Sequence, residues 1–136
     1  MSEKRPNDYS PLTLAYLGDS VWEQYVRTEI LNLYPELHAN KLHRTAIGYV
    51  SATSQSKAME RVEAILSEQE TAVYKRGRNA KSPTASKNAD IVDYRRATGF
   101  EALVGYLYLK KDTERLQEVM ETAFEYIHNV RKELEK

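Results

Sequence analysis

The sequence predicts an all-α fold. Apolar residues recur at intervals of three and four along almost the whole chain, no segment alternates as a half-buried strand would, and cap-forming residues precede the periodic stretches.

Ser10-Pro11 opens the first helix, since the serine caps and the proline suits the first turn. Leu14, Leu17, Val21 and Tyr25 then form one apolar stripe, and Pro35 stops the helix soon after Leu33. A second helix is expected over roughly His38 to Val50, and a third, capped by Ser51 or a neighbouring hydroxyl, through Met59, Val62 and Ile65. Ser67 with Glu70 makes a capping box for a fourth, ending near Arg76. From Gly77 to Thr84 a turn glycine, a proline and small polar residues read as a flexible, basic loop. A fifth helix is expected from about Ala89 to Leu109. A sixth, capped by Asp112, continues through Leu116, Val119, Ala123 and Ile127. No internal repeat or low-complexity tract interrupts them, and a single domain over residues 1–136 is expected.

Composition narrows the chemistry. Hydrophobic residues at 41% and charged residues at 29% suit a folded, soluble protein. No run approaches the roughly 20 apolar residues that cross a bilayer, and the first residues lack a signal-peptide stretch, so no membrane partner and a cytoplasmic location are expected. Cysteine is absent, which excludes disulfides, thiolate catalysis and cysteine-held zinc. His38, His43 and His128 form no metal-spaced pair, and no serine-nucleophile or glycine-rich phosphate motif occurs. A metal would therefore be held by oxygen or histidine. The net charge of zero conceals a segregation. From Lys75 to Lys111 stand Lys75, Arg76, Arg78, Lys81, Lys87, Arg95, Arg96, Lys110 and Lys111 against Asp90, Asp93 and Glu101, while the stretch from Asp112 onward is acid-rich. A locally basic surface can hold phosphates even on a neutral protein.

Two acids stand out. Asp19, in Leu14-Ala15-Tyr16-Leu17-Gly18-Asp19-Ser20-Val21, and Glu101, in Phe100-Glu101-Ala102-Leu103-Val104-Gly105-Tyr106-Leu107-Tyr108, are each planted in an apolar helical run. A carboxylate against apolar surface loses hydration and is kept where a cation, donors or a reaction needs it. Gly18 and Gly105 nearby call for close helix packing, because glycine inside a helix costs roughly 1 kcal/mol against alanine. The residue types leave two readings open: a shared metal site, or two structural acids paired with an arginine and a lysine.

These two stretches, with Lys75-Arg76-Gly77-Arg78-Asn79-Ala80-Lys81 between them, resemble the signature segments of the ribonuclease III family. The brevity of the chain resembles the family's compact Mini-III branch, which lacks a double-stranded RNA-binding domain. The resemblance covers nearly the whole chain. It implies a dimeric helical endonuclease domain that cleaves double-stranded RNA with Mg²⁺, Mn²⁺ serving as a substitute, and leaves 5′-phosphate and 3′-hydroxyl ends. Asp19 and Glu101 are then the catalytic, metal-binding acids. The implied RNA contacts are Lys75, Arg76, Arg78, Asn79, Lys81 and Ser82. The implied substrate is a ribosomal RNA precursor, that of 23S, with a ribosomal protein as a further candidate partner. A two-fold homodimer would supply one site per strand, with Tyr16, Val21 and Trp22 as interface candidates, although Trp22 fits the core equally well.

The chain departs from the full-length family at two helical positions that usually bear acids. Ala15 stands four residues before Asp19 and Thr98 three before Glu101. Two carboxylates per site predict a more hydrated, more weakly held ion. They also leave a competing reading, a catalytically weak or inactive RNA-binding, ribosome-associated module. Glu23 reads as the helix-surface partner of Arg27. Asp90 and Asp93 lie roughly 16 and 12 Å along the helix from Glu101, too far to share its ion. Tyr16, Tyr25, Tyr106 and Tyr108 keep helical spacing with aliphatic residues and read as core or subunit contacts, not base-stacking platforms.

Overall fold

A computed structural model describes residues 4–81 and 90–135. Six helices account for most of them: α1 (Pro11–Leu33), α2 (Ala39–Val50), α3 (Ala52–Val62), α4 (Glu68–Asn79), α5 (Ile91–Leu109) and α6 (Thr113–Leu134). Short 3₁₀ turns, Pro6–Asp8 and Glu63–Ile65, precede α1 and follow α3, and no strand occurs among the described residues.

The helix starts follow local chemistry. Ser10 Oγ accepts from the Thr13 amide at 3.2 Å with Pro11 in the first turn, and Ser51 Oγ accepts from the Ser54 amide at 3.2 Å. Ser67 and Glu70 form the reciprocal box, at 2.9 and 3.2 Å, and Asp112 accepts from the Arg115 amide at 3.3 Å.

Helix α5 is the axis of the fold, with α1, α3, α4 and α6 packed around it. From Ala97 to Leu107 every residue except Glu101 is buried, as expected of a helix that is apolar on all sides. Phe100 meets Trp22 edge-on at 5.0 Å, and Trp22 Nε1 donates to the Tyr49 carbonyl at 3.3 Å. A charged clasp closes the α4–α6 side. Arg115 Nε and Nη2 each reach one Glu70 carboxylate oxygen at 2.8 Å, Nη2 also donates to the Ile65 carbonyl, and Nη1 takes Glu118 at 2.8 Å.

The fourth helix requires a correction: it runs on to Asn79, so Gly77, Arg78 and Asn79 are helical residues and not parts of a loop. Gly77 is buried where α4 meets α5, and a Cβ there would lie 2.8 Å from the Ala102 Cβ and 2.9 Å from the Gly99 Cα. Its lack of a side chain serves close helix packing, where the sequence suggested a turn.

Candidate active site

Helices α1 and α5 touch backbone to backbone. A Cβ on Gly18 would fall 1.7 Å from the Glu101 carbonyl oxygen, and one on Gly105 would fall 2.0 Å from the Leu14 carbonyl oxygen. This crossing fixes the residues beside it. Asp19 follows Gly18 on α1 and Glu101 lies one turn before Gly105 on α5, and the crossing brings their carboxyl groups close enough to interact electrostatically. The Asp19 residue is exposed while Glu101 is half-buried, so the pair sits at a mouth open to solvent.

The electrostatics follow from that placement. Burial, and then the adjacent Asp19 charge and hydrogen bond, push the Glu101 carboxyl up to about 8. Gln55 opposes this, donating through Nε2 to Glu101 Oε2 at 3.3 Å and to the Val50 carbonyl at 2.9 Å. Gln55 is 2% exposed, and its Oε1 has no partner among the described residues. Sequence reasoning missed this residue, because a lone glutamine in a polar-looking helix start carries no signal until α3 is packed on α5.

The paired-acid reading finds no partner here: among the described residues, no arginine or lysine forms an ion pair with Asp19 or Glu101. Among the described residues, no third carboxylate or histidine joins them in a cluster. Glu23 pairs with Arg27 at 3.6 Å. Ala15 is buried, and Thr98 is buried with its hydroxyl donating to the Tyr94 carbonyl at 3.0 Å.

A basic groove lies between α4 and α5. Its cavity of about 320 Å³ is lined by Glu63, Tyr74, Arg78, Asn79, Val92, Arg95 and Arg96. Arg78 covers the Tyr74 ring at 5.7 Å and donates through Nε to Asn79 Oδ1 at 3.2 Å. Lys75, Arg76 and Lys81 are exposed, and Ser82 lies outside the described residues. Arg95 and Arg96 join this groove, although in the sequence they contributed only to a charge count.

The three interface candidates separate. Tyr16 is 82% exposed and Val21 is part-buried, but Trp22 is 0% exposed. Trp22 is a core residue, sealed by Phe100 and bonded to Tyr49, and is not available to a second chain without unfolding. Among the tyrosines, Tyr106 is buried and Tyr25 packs on the core, whereas Tyr16 and Tyr108 are exposed.

Residues 12–112, which include both acids and their crossing glycines, match the Ribonuclease III domain family. The chain belongs to the ribonuclease III family. Within it, the similarity is to Mini-ribonuclease 3. The Clostridium tetani protein of that name is 50% identical over 111 residues, covering 82% of this chain and 74% of its own. The Symbiobacterium thermophilum protein is 48% identical over 122 residues, covering 90% and 93%. The crystal structure of protein FN1578 from Fusobacterium nucleatum superposes with a TM-score of 0.77 at 30% identity, over 87% of this chain and 93% of that one. This ribonuclease III-family chain is therefore an endoribonuclease. No helix among its described residues is long and apolar enough to cross a membrane.

Proposed function

We propose that the chain is a divalent-metal-dependent endoribonuclease that cleaves double-stranded RNA at the mouth formed by Asp19 and Glu101. The observation that carries this reading is the approach of those two carboxyl groups across the α1–α5 crossing.

The donor set fits a hard cation. Two carboxyls facing each other repel when both are charged, and without a cation Glu101 relieves the repulsion by holding a proton up to about pH 8. Asp19 and Glu101 would hold Mg²⁺, with Mn²⁺ as a substitute, and two protein oxygens suit an ion that keeps most of its waters. When bound, such an ion lowers the pKa of water for attack on a phosphodiester and offsets charge on the leaving oxygen. The protein's own groups do the positioning. Gln55 fixes the rotamer of Glu101 through Nε2, and its unpartnered Oε1 leaves one further acceptor beside the carboxyl pair. Arg78, Arg95 and Arg96 of the groove, with Lys75, Arg76, Asn79, Lys81 and Ser82, supply donors for the phosphates and 2′-hydroxyls of an A-form duplex.

The products carry 5′-phosphate and 3′-hydroxyl ends. The substrate is the duplex region of a ribosomal RNA precursor, that of 23S, with a ribosomal protein as a candidate presenting partner, and the working unit is a two-fold homodimer. Tyr16 and Val21 lie on α1 where a second copy would meet it, and the exposure of Tyr16 supports that assignment.

Incubating long duplex RNA with the protein, with and without Mg²⁺, beside Asp19→Asn tests the reading. Metal-dependent cutting that falls at least about 100-fold in the variant is expected. RNA binding without cutting by the wild type would instead establish the inactive-module reading that Ala15 and Thr98 raise.

A further inference from the structure

A second polar cleft lies between α2 and α6 and shares no residue with the carboxylate site. Its cavity of about 280 Å³ is lined by Lys41, Thr45, Tyr49, His128, Arg131 and Lys132, together with Tyr34, Leu37 and Glu135. The charge is lopsided, with three permanent cations facing one carboxylate. Among the described residues none of Lys41, Arg131 or Lys132 has a carboxylate at ion-pair distance.

One of the three cations is pre-positioned. The Arg131 guanidinium lies 5.0 Å above the Tyr49 ring and occupies the space that a side chain at position 48 would fill, for a Cβ on Gly48 would stand 2.1 Å from its Nη1. The Tyr49 hydroxyl is 2.7 Å from His128 Nδ1, so the floor is a bonded pair and not a loose surface. Burial, and then Lys132 and Arg131, lower the His128 imidazole from its ordinary value, with Glu135 opposing them.

We propose that this cleft binds a phosphate monoester of the nucleotide class. Lys41, Arg131 and Lys132 take the phosphate, and Tyr34 offers an aromatic face to the organic body. The volume exceeds what a bare inorganic ion needs and lies near the lower end of small-molecule sites, roughly 300–1,000 Å³.

Titration of the folded protein with adenosine monophosphate, and separately with inorganic phosphate, followed by the imidazole NMR signals of His128 and His38, tests the proposal. A saturable shift of His128 but not His38, with a dissociation constant of about 1 mM or tighter and weaker binding of inorganic phosphate, is expected. Lys41→Gln with Lys132→Gln should weaken the nucleotide at least tenfold, while Lys110→Gln with Lys111→Gln, the same charge loss outside the cleft, should not. Gly48→Ala keeps every charge and favours the helix, yet it displaces the guanidinium, and should weaken binding by at least about threefold. No saturable His128 response, equal affinity for inorganic phosphate, or indifference to both the double glutamine variant and Gly48→Ala would each overturn it.

Discussion

Glu101 carries an energetic signature that can be measured without RNA. Its carboxyl is pushed up to about 8 from an ordinary 4.5, first by burial and then by Asp19. A carboxyl raised in the folded state stabilises the fold fully below its unfolded value, and that contribution is lost as pH rises through the folded value. The melting temperature of the metal-free protein should therefore fall between about pH 5 and pH 9, Glu101→Gln should flatten the fall, and Mg²⁺ should restore the wild type at the alkaline end. Thermal melts with chelator and with Mg²⁺ check this, and an equal slope in the glutamine variant would remove Glu101 as its source. At this scale the two acids were legible in the sequence because a charge inside an apolar run is conspicuous. Gln55 was not, because its role depends on Val50 and Glu101, which only packing brings to it.

At the scale of elements, the α1–α5 crossing decides the site. Gly105→Ala drives a Cβ into the Leu14 carbonyl, and backbone cannot swing aside as a side-chain tip can. The cost should be about 1–3 kcal/mol by denaturant titration, and cleavage should fall further than stability does because Asp19 and Glu101 are moved apart. The α4–α6 clasp makes a separate prediction. The Arg115 hydrogen bonds hold Glu70 below the usual carboxylate range, so its stabilisation is present above the unfolded value and is lost as pH falls through the folded one. Arg115→Met should cost about 1–3 kcal/mol near neutral pH, reduced from the fully buried case because the Arg115 side chain is 21% exposed. The gap from wild type should narrow below about pH 4 in melts. Helix starts were readable because a serine or aspartate cap acts within three residues. The end of α4 was not, since Gly77 gives the same letter for a turn and for a contact with Gly99 and Ala102.

For the whole molecule, a net charge of zero leaves long-range attraction to RNA weak, so in the proposed function binding rests on the local basic face of α4 and α5. Arg76→Ala with Arg78→Ala should lower duplex affinity and make the log–log salt dependence shallower by about one to two. Binding measured across a salt series checks it, and an unchanged slope would exclude these arginines from phosphate contact.

The sequence by itself determined the helical class, the caps and the two acids, because those signals are local: periodicity, a hydroxyl three residues from an amide, a charge among apolar neighbours. Tertiary structure decided what touches what. It put Trp22 in the core, set Gly77 inside a helix and joined Arg95 and Arg96 to Arg78 across a groove. It also brought Asp19 and Glu101, far apart in the chain, to one mouth. The physical reason is that contact across helices depends on backbone separation, and here two glycines on facing helices set that separation.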